Sequence, residues 1–180
     1  MAIQINGNGT ITGISVGGLP DGIVDTDMIA NNAVTDAKST IVGGKILQVI
    51  ENTSSTTVTT TAGSSNDADL ISLSITPSSA SNKVLLFVTF SGQAVPSTNS
   101  KINVRLYRGT SSSGTLILDL KQGSNDAEYR SVHCSGSKLD SPNTTSAQTY
   151  TVAIRRLSSG TNYVSSDGNP YHIQAMEVAA

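Results

Sequence analysis

The sequence predicts an all-β protein. An antiparallel jelly-roll or β-sandwich domain spans residues 45–180, preceded by an extended N-terminal arm with short helical turns over residues 1–44. Three observations carry this reading. Runs rich in Val, Ile and Thr recur about every ten residues after residue 45, separated by Ser, Asn, Gly and Pro clusters. The chain has 13% charged and 37% hydrophobic residues, with 27 Ser and 21 Thr among its 180 positions. Disordered chains combine high net charge with few β-branched residues, so this composition favours β structure. Finally, the apolar residues are unevenly spread, and the first 44 lack a core of their own.

The arm is acidic: Asp21, Asp25, Asp27 and Asp36 against Lys38 give it a net −3, leaving about +1 for the remainder. Ile3-Gln4-Ile5 and Ile11-Thr12-Gly13-Ile14-Ser15-Val16 alternate like short strands, and Asn6-Gly7-Asn8-Gly9 between them signals a hairpin turn. Leu19-Pro20-Asp21-Gly22 reads as a tight turn. A faint repeat of period ten follows, laying 22–31 over 32–41. Asp25 or Thr26 would cap one helical turn and Thr35 another. Helices below about 12 residues are marginal alone in water. Ile23, Val24, Met28, Ile29 and Val34 therefore need a partner surface, and they are the candidate anchoring and assembly residues.

Gly43-Gly44 closes the arm. Strand candidates then run over 45–51, 56–61, 70–76, 83–91, 101–107, 115–120, 128–135, 147–156 and 171–178, with a weaker one near 162–165. No helical periodicity competes with them. Strand 83–91 is diagnostic: Val84, Leu86, Val88 and Phe90 fill one face, while Leu85 and Phe87 are apolar on the other. An ordinary sandwich strand has one apolar and one polar face. Both faces here require cover, one from the core and the other from a second subunit. Ile102, Val104 and Leu106 instead alternate with Lys101, Asn103 and Arg105, so that strand has one wet face; Tyr150, Val152 and Ile154 alternate with Thr151, Ala153 and Arg155 in the same way. The last strand carries Ile173 and Ala175 on one face and Met176 and Val178 on the other. Leu85, Phe87, Met176 and Val178 are thus the expected intersubunit packing residues.

The arm phrase GLPDGIVDTDMIANNAVTDAKST resembles the short Val-Thr-Asp/Ala-Lys repeats of bacteriophage tail-fibre and virion-appendage proteins. The phrases GGKILQVIENTSSTTVTT, SLSITPSSASNKVLLFVTF, YRSVHCSGSKLDSPNTTSAQTYTVAIRR and HIQAMEVAA resemble a domain found at the end of phage structural proteins, similar to the trimeric jelly rolls of fibre tips. The resemblance covers nearly the whole chain and rests on patterns of strand and turn. It implies a homotrimer located in the virion, assembled in the bacterial host cytoplasm and contacting other phage proteins of tail or capsid. Tail fibres are much longer than 180 residues, so the expectation is a short fibre or tail appendage. The alternatives are a capsid decoration or cement protein and a host-glycan-binding adhesin.

No catalytic or metal site is expected, and no cofactor. A catalytic Cys needs a base within hydrogen-bond reach, and His133 and Cys134, adjacent on a strand, point to opposite faces. The acidic pairs Asp25/Asp27, Asp67/Asp69 and Asp126/Glu128 lack the Gly and the twelfth-position Glu of a calcium hand loop and read as solvated loop acids. Sequons at Asn8, Asn52 and Asn143 match chance in so Ser- and Thr-rich a chain. Surface recognition of a host glycan or protein falls to Tyr129, Arg130 and Tyr163, in or beside loops. The competing reading has the tyrosines capping sandwich edges with their hydroxyls wet. A net charge of −2 argues against nucleic acid as a partner. No apolar run of about 18 residues offers a membrane span, and the first residues lack the basic and apolar regions of a secretory signal. The single cysteine forbids an internal disulfide.

Overall fold

The computed structural model describes residues 4–5, 11–12, 45–60, 67–94, 101–123, 130–156, 162–164 and 168–180. Its backbone divides into two units, Met1–Val42 and Gly43–Ala180. In the first, β1 (Gln4–Ile5) pairs antiparallel with β2 (Ile11–Thr12), setting Gln4 opposite Thr12 and Ile5 opposite Ile11. The predicted helical turns, with Ile23, Val24, Met28, Ile29 and Val34, lie outside the described residues.

The second unit contains β3 (Ile46–Ser54), β4 (Val58–Thr60), β5 (Asp67–Ile75), β6 (Lys83–Ala94), β7 (Lys101–Arg108), β8 (Thr115–Gly123), β9 (Arg130–Asp140), β10 (Gln148–Arg156), β11 (Asn162–Val164) and β12 (Tyr171–Val178). The eight long strands pair by nesting. First pairs with last (β3 with β12), second with seventh (β5 with β10), third with sixth (β6 with β9) and fourth with fifth (β7 with β8). This is a long hairpin rolled over on itself, a jelly roll. Two further ladders, β12 with β6 and β10 with β7, complete the sheets. One sheet reads β5-β10-β7-β8. The other places β6 between β9 on one edge and β12 on the other, with β3 beyond β12, and the short β11 and β4 extend it at the far end of β6.

Period-2 alternation builds the core between the sheets. Ile71, Leu73 and Ile75 of β5, Val84, Leu86, Val88 and Phe90 of β6, Ile102, Val104 and Leu106 of β7, Tyr150, Val152 and Ile154 of β10, and Tyr171, Ile173 and Ala175 of β12 are all buried and in mutual contact. Each large apolar side chain removed from water contributes about 1.5–3 kcal/mol.

The two seams between the sheets are closed differently. Along one, Gln48 Nε2 donates to the Thr76 carbonyl (2.8 Å) and Asn52 Nδ2 to the Ser72 carbonyl (2.7 Å). These inward side chains of β3 cover the open edge of β5, which would otherwise present unpaired backbone groups. Along the other, Gly136 of β9 lies beneath Leu118 and Leu120 of β8; a Cβ there would sit 2.8 Å from Leu120 Cδ2. The β7–β8 turn requires glycine at Gly109, whose φ is +96°.

Two expectations are corrected. The second faces of β7 and β10 are not wet: Asn103, Thr151 and Ala153 are buried, as is Tyr107. Strand β9 also runs on to Asp140, five residues beyond the predicted end at 135. Its polar tail (Gly136-Ser137-Lys138) hides the strand pattern, but pairing with the apolar β6 holds it in register.

Candidate interaction face

The outward face of the sheet β9-β6-β12-β3 is the most distinctive surface of the jelly roll. Odd positions of β6 point outward because the even ones fill the core. The ladder registers then fix which side chains stand abreast. One row reads Leu139, Leu85, Met176, Val49 across β9, β6, β12 and β3: Leu85 is opposite both Leu139 and Met176, and Met176 is opposite Val49. The flanking rows place Phe87 between Ser137 and Gln174, and Lys83 beside Val178. Leu139 is 47% exposed, Val49 52% and Phe87 38%, while Leu85, Met176 and Val178 are half-buried. Contiguous apolar strips of this kind on a protein surface mark interaction sites.

The strip ends abruptly. Beyond Phe87 the same face carries Ser135, Thr89, His172 and Thr53 in one row, then His133 and Ser91. There a shallow groove of about 380 Å³ is lined by Thr89, Ser91, His133, Ser135, Asn169 and Pro170, with Phe90 and Cys134 beneath. Cys134 is buried, and burial pushes its thiol up to about 11; His133 is exposed on the opposite side of the strand. The two do not form a nucleophile–base pair.

The outward face of β5-β10-β7-β8 is ionic. Asp67, with 3% of its side chain exposed, accepts hydrogen bonds from the Tyr107 hydroxyl, Arg155 Nε and Arg105 (3.3 Å). Arg105 also reaches Asp119 at 3.3 Å. Burial pushes the Asp67 carboxyl upward, but the bonds from Tyr107, Arg155 and Arg105 outweigh it and hold it below its ordinary value. Asp67 is thus no solvated loop acid; it ties three strands together from outside the core. Asp69, predicted alike, accepts the backbone N–H of Ser111 at 3.1 Å. Asp25, Asp27, Asp126 and Glu128 lie outside the described residues. Among the described residues no three His, Cys, Asp or Glu side chains form a group suited to holding a metal ion.

At the end of the sandwich, Glu177 occupies an inward position of β12 and is 1% exposed. Its Oε1 accepts from Ser78 N (2.6 Å), Ser78 Oγ (2.8 Å) and Asn82 Nδ2 (2.7 Å), and its Oε2 from Gln48 Nε2 (2.6 Å). Burial raises the carboxyl, yet these donors more than compensate and bring it to about 2.

Of the predicted packing residues, the fold gathers Leu85, Phe87, Met176 and Val178 onto one face. Val49, Leu47 and Leu139 complete that face and were missed. Four apolar residues among the first five of β3 (Ile46, Leu47, Val49, Ile50) carried the same two-faced signal as β6. Tyr129 lies outside the described residues; Arg130 opens β9 and Tyr163 is central in β11, so both belong to strands. The edge-capping reading fails for Tyr150 and Tyr171, which are buried: Tyr150 donates to Asp140 at 2.7 Å and Tyr171 to the Thr56 carbonyl at 3.3 Å.

No family model matches the sequence, and no curated protein matches it. Solved structures that resemble the fold include the VP2 subviral particle of infectious bursal disease virus (12% identity, TM-score 0.40) and the Gx strain of the same virus (13%, 0.38). Each match covers 74% of this chain. This chain spans only 37% of the length of those viral chains. A third is the CBM22-1 xylan-binding domain of Paenibacillus barcinonensis Xyn10C (14% identity, TM-score 0.28, covering 76% of this chain and 97% of that one).

Proposed function

We propose that the chain is a structural protein of a bacteriophage particle, a short fibre or tail appendage. In this reading it assembles as a homotrimer, is anchored through its N-terminal arm, and projects the jelly roll outward. The observation that carries the reading is the apolar row Leu139–Leu85–Met176–Val49 across a finished sheet whose core is already full. A lone domain gains nothing by displaying it, whereas a chain that meets copies of itself or other virion proteins hides it. Leu85, Phe87, Met176 and Val178 supply the intersubunit packing. Ile23, Val24, Met28, Ile29 and Val34 supply the anchor. The low charge suits dense packing, because few like charges are brought together.

The role is mechanical rather than catalytic, and the buried, high-pKa thiol of Cys134 facing away from His133 supports this. Mass spectrometry of purified particles tests the reading, together with a cryo-electron microscopy map that locates the domain. Peptides from this chain in the particle, with three-fold density at tail or baseplate, support it. Density on the capsid shell makes it a decoration protein instead, and absence from purified particles overturns the reading.

A further inference from the structure

A groove of about 520 Å³ runs along the seam where the end of β3 meets β5. Thr53 comes to it from β3, Asp69 and Ser72 from β5, Thr149 and Thr151 from β10, and Thr110 from the β7–β8 turn. Register brings these residues together. Thr151 stands opposite Ser72 and Thr149 opposite Ser74, while Asn52 Nδ2 ties β3 to the Ser72 carbonyl at 2.7 Å. The pairing of β10 with β5 shifts between Val152 and Ala153, a bulge of the kind that re-aims side chains beside binding sites. The turn is pinned to β5: Ser111 N donates to Asp69 Oδ1 at 3.1 Å, and Ser111 Oγ to the Asp67 carbonyl at 3.5 Å.

One side chain singles this groove out. Thr151 is 2% exposed, and its Oγ1 is buried with no hydrogen-bond partner among the described residues. Buried hydroxyls are ordinarily satisfied, so this one asks for a partner from outside the chain. The other such atoms belong to Asn103, Arg105 and Asp119, which do not line the groove. The lining also selects the chemistry. Among the described lining residues there is no Lys, Arg or His, so an anion finds no countercharge. Asp69 is the one carboxylate, and it belongs to no cluster suited to a metal ion. Leu70 and Ile71 alone offer too little apolar surface for a lipid. Hydroxyls both donate and accept, and an ionised carboxylate accepts strongly from neighbouring hydroxyls. We propose that the groove binds a neutral sugar ring, one hexose unit of a glycan, with Asp69 and Thr151 as its main hydrogen-bonding partners. The volume falls within the range of about 300–1,000 Å³ typical of small-molecule sites. The proposal goes beyond the structural role above and holds for a monomer or a trimer alike. It moves surface recognition to the seam, since Tyr129, Arg130 and Tyr163 do not line it.

The test is methyl NMR of the full-length chain labelled at its threonine methyls, titrated separately with glucose, galactose and N-acetylglucosamine. One sugar unit in an open groove binds on the order of 1 mM, so each titration runs to roughly 50 mM. At least one sugar should give saturable shifts at Thr53, Thr149 and Thr151, with Thr89, in the groove beside His133, unmoved. Thr151→Val keeps the side-chain shape and removes a hydroxyl that holds nothing in the fold, so the variant should stay folded and bind roughly fivefold more weakly. Asp69→Asn keeps an acceptor for Ser111 N and should weaken binding roughly tenfold. No saturable shift with any of the three sugars overturns the proposal. So do equal shifts with glycerol, which lacks a ring, shifts confined to Thr89, and unchanged affinity in both variants. Because sedimentation decides the self-association reading separately, either can fail while the other stands.

Discussion

The carboxylate of Glu177 makes an unusually specific demand on the fold, and replacing it by glutamine tests that demand directly. Every one of its four hydrogen-bond partners is a donor: Ser78 N, Ser78 Oγ and Asn82 Nδ2 on one oxygen, Gln48 Nε2 on the other. Glutamine keeps one acceptor but turns the other into an NH₂ group. If that group faces Gln48, two donors confront each other, and relief by flipping the Gln48 amide costs its bond to the Thr76 carbonyl. A lost partner for a buried polar group costs about 1–3 kcal/mol. The pH dependence gives an independent figure. The folded carboxyl titrates near 2, against an ordinary 4.5. Because the folded value is depressed, the stabilisation is fully present above pH 4.5 and is lost as pH falls through about 2. The full shift corresponds to about 3 kcal/mol, of which roughly 1–2 survives solvent screening at the rim of the sandwich. Urea denaturation of wild type and Glu177→Gln at pH 7 should therefore differ by about 2 kcal/mol. The difference should shrink towards zero as the buffer is taken from pH 4.5 to pH 2. Equal stability at pH 7, or a gap that persists unchanged at pH 2, would refute the reasoning.

Other consequences are equally concrete. Asp67→Asn leaves Arg105 and Arg155 without their shared carboxylate on a nearly closed face and should cost about 3 kcal/mol in urea denaturation. Gly136→Ala pushes a Cβ to within 2.8 Å of Leu120 Cδ2 and should cost about 1–3 kcal/mol, with part of the loss recovered when Leu120→Val is added. Cys134 should resist a thiol-specific reagent at pH 8 in the native protein and react at once in denaturant, since its pKa of about 11 leaves little thiolate.

The sequence carried the jelly roll well where local pattern decides structure. Alternation in 70–76, 83–91, 101–107 and 147–156 marked strands, and the doubled apolar pattern of 83–91 foretold an outward apolar face. It failed where meaning depends on distant partners. Asp67 sits in a Ser-Asn-Asp-Ala-Asp stretch that looks like a loop, and the arginines that define it lie 38 and 88 positions away. Glu177 interrupts an apolar alternation, and nothing nearby announces donors 95 to 129 residues upstream. Leu139, a single leucine in a polar strand, joins the apolar row only when register sets it beside Leu85. The wet faces expected for β7 and β10 failed for the same reason: alternation separates two faces but does not say what lies over each.

The central claim is that the outward apolar row is buried by self-association. Sedimentation equilibrium of the full-length protein at micromolar concentration measures this directly, alongside Leu85→Ser/Met176→Ser. The account predicts a wild-type species of three times the 18.6 kDa chain mass and a double variant that remains folded but dissociates. A wild-type protein that sediments as an 18.6 kDa monomer, indistinguishable from the variant, would contradict it.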